Sequence, residues 1–265
     1  MLISYFAMYM FFGAIAGLLA GMLGLGGGIV IVPMLLYGLA WQGMSENINH
    51  LALGTSMASI FFTFISSVRA HHRRGSVLWR VVGCFTPGVA VGTFLGGYIA
   101  VLLPSRPLSV IFSIFLLLVA AQIFLDITPK AARHLPGRGG LAGVGAGIGF
   151  ISSFVGIGGG SMTVPFLGWC NIDMRQAVGT AAGIGFPMAL AGALSYMING
   201  WNAPNLPEYS LGFIYLPALG GLASTSILFA PLGAKIAYRI SAKKLKRVFA
   251  VYLVCMAAHM AFGTW

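Results

Sequence analysis

Negative charge is almost absent from this sequence: its 265 residues include four acids, Glu46, Asp126, Asp173 and Glu208, and charged residues of both signs amount to 7%. A soluble globular domain carries about 25% charged residues, so an ordinary soluble fold is excluded. Cysteine is equally scarce. Cys84, Cys170 and Cys255 are odd in number, far apart and form no C-x-x-C, which argues against a disulfide framework, zinc or a redox pair. No Lys or Arg precedes the first long apolar run, so a cleaved signal peptide is not expected. Nucleotide signatures are missing as well: Gly24 to Ile29 lacks the last glycine of G-x-G-x-x-G, no soluble strand pattern precedes it, and there is no Walker lysine. Without a nucleotide site or any other expected cofactor, transport would be secondary or passive.

What the chain has instead is apolar length. Hydrophobic residues are 58% of the total and the mean hydropathy is +0.93, the composition of a multi-pass protein in a lipid bilayer. Apolar segments run at about 5–40, 50–68, 79–103, 107–125, 139–172, 176–198, 211–233 and 248–264. The formal net charge of +11 comes from Lys and Arg in the short stretches between segments, which points to membrane orientation rather than nucleic-acid binding. Trp41, Trp79, Trp169, Trp201 and Trp265 all fall at or just beyond segment ends, where interfacial anchors belong.

Most segments match the roughly 20 residues that span a bilayer, but the first and fifth would be about 50 Å long as continuous helices, against a hydrocarbon core near 30 Å. Both contain the same interruption. Gly24-Leu25-Gly26-Gly27-Gly28-Ile29-Val30-Ile31-Val32-Pro33 returns 132 positions later as Gly156-Ile157-Gly158-Gly159-Gly160-Ser161-Met162-Thr163-Val164-Pro165, with six of ten positions identical. Three adjacent glycines each cost about 1 kcal/mol relative to alanine in a helix interior, so each block is expected to break its helix. A break at membrane depth survives only where it is buried in protein or lines a watery cavity, which is where transporters hold their substrates.

The paired G-x-G-G-G-x-x-x-V-P, once per half of a hydrophobic chain of this length, resembles the sulfite exporter TauE/SafE family over nearly the whole sequence. The polar stretch Arg69-Ala70-His71-His72-Arg73-Arg74-Gly75-Ser76-Val77, read as a loop after the second segment, adds to the likeness. The resemblance implies a bacterial-type inner-membrane carrier of small sulfur-containing anions such as sulfite or organosulfonates.

Matches between the halves continue past the glycines: Gly54-Thr55 with Gly179-Thr180, Gly75 with Gly200, and Pro87 with Pro217. The expected fold is therefore all-α, two homologous four-segment halves at 1–125 and 139–265 joined by a cytoplasmic linker at 126–138. Basic residues crowd the stretch at 69–80, the linker and 235–247, whereas 199–210 has no Lys or Arg. Eight full crossings would put the most basic stretch, 235–247, outside. Making the first and fifth segments re-entrant hairpins removes that conflict and turns the halves into inverted repeats with both termini outside.

A helix that restarts after each glycine block presents unpaired N–H groups and the positive end of its dipole, an anion site without a basic side chain. The candidate binding residues are Gly24, Gly26, Gly27, Gly28 and Ile29 at one block, and Gly156, Gly158, Gly159, Gly160 and Ser161 at the other. The neutral hydroxyls Thr55, Ser56 and Thr180 are added because they sit at matched positions, although small hydroxyls are more often helix-to-helix contacts. Gly88, Gly92 and Gly96, spaced by four, are expected to pack helices, as are Ser224, Thr225 and Ser226. His259 is expected to be polar packing. The function this supports is a secondary transporter of small anions, with a passive anion channel or a non-transport membrane assembly subunit as the alternatives. Homo-oligomerisation is left open, and no catalytic or metal site is expected.

Overall fold

The computed structural model describes residues 2–23, 27–125, 134–237 and 242–262. Gly24 and Gly26, linker residues 126–133, Arg239 and Trp265, all used above, lie outside the described residues. The helices are α1 (Leu2–Leu23), α2 (Gly28–Trp41), α3 (Ile48–Arg73), α4 (Trp79–Leu102), α5 (Ser105–Phe124), α6 (Arg138–Val155), α7 (Gly160–Trp169), α8 (Met174–Asn199), α9 (Leu216–Ala237) and α10 (Ala242–Phe262). A small hairpin of β1 (Ser210–Leu211) and β2 (Ile214–Tyr215) precedes α9. The chain is thus all-α but for that hairpin, and α3, α4, α5, α6 and α8 are each long and apolar enough to cross a membrane.

Two boundaries differ from the expectation. The stretch at 69–77 is not a loop throughout, because α3 runs on to Arg73 and carries His71, His72 and Arg73 in its last turn. Arg73 in that last turn favours the extension, since its charge lies at the negative end of the dipole. The turn comes later, at Gly75 with φ 65°. The segment expected from 211 starts with the hairpin instead, where Gly212 takes φ 58° and lies against the Met197 carbonyl. A side chain there would collide with the end of α8.

Within the long first segment the chain doubles back. Gln42 Nε2 donates to Tyr9 Oη at 2.6 Å, and the Cα of Gly38 faces the rings of Tyr9 and Phe12, so the end of α2 lies beside the first half of α1. The fifth segment turns back likewise: Phe85 of α4 touches both Gly145 of α6 and Phe166 of α7, its ring lying 5.8 Å from that of Phe166.

Packing between the halves is reciprocal. Helix α1 lies on α9 with Gly13 against Leu222 and Thr225, Gly17 against Ser226 and Gly221 against Tyr9 and Met10, so the two run parallel. Helix α4 lies on α6 the same way, Gly88 against Ala142, Gly92 against Ala146 and Gly96 against Phe150. These glycines admit close backbone approach, as expected of them. Helices α3 and α8 run antiparallel, with Gly54 against Tyr196, Met57 against Gly192 and Phe64 against Gly185. Helix α5 packs on α10. The pairing of Pro87 with Pro217 does not carry into space: Pro87 lies deep within α4, whereas Pro217 is the second residue of α9.

Candidate functional site

Each glycine block ends in a helix start of the same backbone design. Gly27 and Gly159 precede α2 and α7 at φ 78° and 68°, a left-handed conformation that glycine adopts without a Cβ penalty. The Gly27 carbonyl accepts from the N–H groups of Val30 and Ile31, both at 3.0 Å, and the Gly159 carbonyl from those of Met162 and Thr163 at 3.0 and 2.8 Å. The N–H groups of Gly28 and Ile29, and of Gly160 and Ser161, precede the first intrahelical bond and have no acceptor within their helix. Gly156, at φ 64°, closes α6.

The first start meets the second glycine block, where α6 ends. A Cβ on Gly28 would stand 2.6 Å from the Gly156 carbonyl oxygen and 2.9 Å from Ile157 Cα, so α2 begins directly on the backbone of the opposite block. Ser56 Oγ donates to the Gly156 carbonyl at 2.8 Å and ties the same point to α3. Around the second block, Phe64 covers Gly158, and Met188 covers Gly159. These neighbours come from the middle turns of α3 and α8, which sets the junction at mid-length of the two crossing helices. Gly27, Gly28, Ile29, Ser56, Gly156, Gly158, Gly159, Gly160 and Ser161 therefore form one buried region.

Thr55 and Thr180 do not join it. Thr55 Oγ1 accepts from the Tyr215 N–H at 2.9 Å and Thr180 Oγ1 from the Leu78 N–H at 3.0 Å, each pinning the stretch that leads into α9 or α4. Gly54 and Gly179 beside them admit the carbonyls of Phe213 and Ser76. Matched positions in the halves here do matched structural work. Ser224, Thr225 and Ser226 also bond within the bundle, Thr225 to the Met10 carbonyl at 2.8 Å. His259 is exposed in α10, and its ring lies 4.9 Å from that of Tyr37.

Several residues with chemical character went unselected in the sequence. Thr163 and Ser59 are buried, and their hydroxyls, like that of Ser161, have no hydrogen-bond partner. Thr93 is similarly unpartnered where α4 meets Gly149 and Gly192. The signal for Thr163 was available, since it replaces Ile31 of the first block. His50, in the first turn of α3, is buried with Nε2 at 3.2 and 3.1 Å from the Ala100 and Leu103 carbonyls, and stacks on Phe213. Among the residues whose side chains are described, it is the one buried ionisable group besides tyrosine and cysteine; no Lys, Arg, Asp or Glu of that set is buried. The junction can therefore offer an anion only N–H groups, hydroxyls and helix dipoles.

Comparison with known proteins agrees with a membrane transporter. The model of the family described as sulfite exporter TauE/SafE matches residues 9–260. A probable membrane transporter protein of Haemophilus influenzae is 38% identical over 251 residues, covering 94% of this chain and 95% of that one. Probable membrane transporter proteins of Bacillus subtilis and Methanocaldococcus jannaschii are 28% and 27% identical, over 97% and 94% of this chain and 97% and 92% of their own lengths. No solved structure matches. A family match across nearly the full length, with membrane-length helices around a buried, uncharged junction of broken segments, makes this chain a multi-pass membrane transporter, not an enzyme, of the TauE/SafE sulfite exporter family.

Proposed function

We propose that the protein is a secondary carrier of small anions, sulfite or organosulfonates in the first instance, and that it binds them where the two glycine blocks meet. The contact of Gly28 with Gly156 and Ile157 carries this reading: the start of α2, whose first N–H groups lack an intrahelical acceptor, lies inside the protein against the glycine block of the other half that leads into α7. The family description supplies the sulfur chemistry. The burial of the junction and the absence of buried cations among the described residues fit a ligand held by dipoles and neutral donors and released again.

The same reading treats residues 1–125 and 139–265 as inverted repeats, each with three crossings and one re-entrant hairpin, joined by the cytoplasmic linker at 126–138. Reciprocal packing supports it: α1 runs parallel to α9 and α4 to α6, while the matched pair α3 and α8 runs antiparallel. Transport would follow from one half rocking against the other across the glycine contact.

In sealed proteoliposomes, sulfite or a short sulfonate should move down an imposed gradient, and a reporter fused to the C-terminus should be accessible from outside in cells. No solute movement would support an assembly role instead. Flux that never saturates with substrate would favour a passive channel. An internal C-terminus would require eight full crossings.

A further inference from the structure

The two helix starts share a backbone but not a chemistry. Position for position, Gly28-Ile29-Val30-Ile31 stands against Gly160-Ser161-Met162-Thr163. Ile29 and Ile31 are buried at 1% and 2% exposure and belong to the larger apolar core. Ser161 and Thr163 are buried at 6% and 1% exposure, and neither hydroxyl has a hydrogen-bond partner. An enclosed hydroxyl left unpaired is costly, and two in one helical turn call for a ligand. In a helix the Cα–Cβ bonds tilt toward the N-terminus, so both side chains lean toward the open end of α7. Two residues apart, they flank that end from nearly opposite sides, about 200° around the axis.

Resting on the carrier reading above, we infer that the anion is held off-centre, at the N-terminus of α7 between Ser161 and Thr163, and that the site accepts singly charged oxyanions and rejects doubly charged ones. The charge rule follows from the donors. The N-terminus of α7 contributes about half a positive charge, enough to offset much of one negative charge and far short of two. The cost of taking an ion out of water rises with the square of its charge. No cation is buried nearby among the described residues to balance a second charge.

The test uses the full chain in detergent or nanodiscs, with methanesulfonate and sulfate as probes, since they have nearly the same shape and differ in charge. Calorimetry or thermal shift should show methanesulfonate binding at least about tenfold tighter than sulfate. Ser161→Ala and Thr163→Val should each weaken methanesulfonate binding about 10- to 100-fold, the worth of a hydrogen bond to a charged group, and Ser161→Thr should retain most of it. Each variant is first shown to be monodisperse and to melt within a few degrees of wild type, which sets folding defects apart from site defects. Equal affinity for the two probes, no binding of methanesulfonate, or wild-type affinity in the Ser161→Ala/Thr163→Val double variant would each overturn the inference. The carrier reading fails separately: the predicted binding pattern without flux in sealed vesicles would sink transport and leave the site standing. Saturable flux that treats sulfate and methanesulfonate alike would do the reverse.

Discussion

The two glycine junctions invite comparison because one backbone solution serves two different surroundings. At both, a glycine in the left-handed region hands the chain to a new helix whose first carbonyl accepts two N–H groups. At the first, the new helix continues in isoleucine and valine and sinks into the larger apolar core. At the second, Ser161 and Thr163 interrupt the apolar run, and Met162 packs into the smaller cluster with Phe166 and Val164. Duplication of a fold preserves what the backbone demands and leaves side chains to specialise. Gly28 is required because a Cβ would collide with the opposite backbone, and Gly27, Gly156 and Gly159 because their φ is left-handed, whereas the positions after them are constrained only by what they touch.

The comparison is broken most severely where the two junctions lean on each other. In Gly28→Val, the Cβ meets the Gly156 carbonyl and Ile157 Cα, both backbone atoms that cannot swing aside. Anion flux should fall to background in proteoliposomes while membrane insertion is kept. Gly159→Leu should act nearly as strongly, since it combines a left-handed φ with a collision against Met188. Normal flux in either variant would show that the junction is not on the transport path.

A middle-sized effect is expected from Ser56→Ala. It removes the donor to the Gly156 carbonyl in a buried setting and should cost about 1–3 kcal/mol, read as a melting temperature lower by several degrees. No change would mean the bond is not holding the junction to α3. The smallest effects sharpen the likeness of the halves. Thr55→Val and Thr180→Val each remove one acceptor from a loop N–H and should cost about 1 kcal/mol apiece, leaving methanesulfonate affinity unchanged. Unequal losses, or a loss of affinity in one, would show that the matched threonines no longer do the same work.

Much of this architecture was legible in the sequence. Hydropathy located the helices of membrane length, α3, α4, α5, α6 and α8, and length at about 1.5 Å per residue pointed to an interruption in the first and fifth segments. The glycine runs pointed to backbone that side chains could not occupy, and Gly28 indeed faces another backbone. What escaped depends on partners distant in sequence. Thr55 and Ser56 are adjacent and alike in type, yet one faces the Tyr215 N–H and the other the Gly156 carbonyl. His50 sits at the edge of an apolar segment, and nothing local announces that the end of α4 receives its ring. The matching of Pro87 with Pro217 failed because proline has no N–H to lose at the start of α9 but must be accommodated inside α4, so the two are not under the same constraint.

Phe64 has a consequence of its own. Its single ring fills the space above Gly158 in the second junction and above Gly185 in α8, although it belongs to a helix of the first half. A carrier assembled from two copies of one ancestral unit would thus share a common bearing surface, so that improving either copy alone is limited by the fit of the other. Evolution of new cargo in such a molecule should proceed at positions such as 161 and 163, whose hydroxyls bond to no group of either copy.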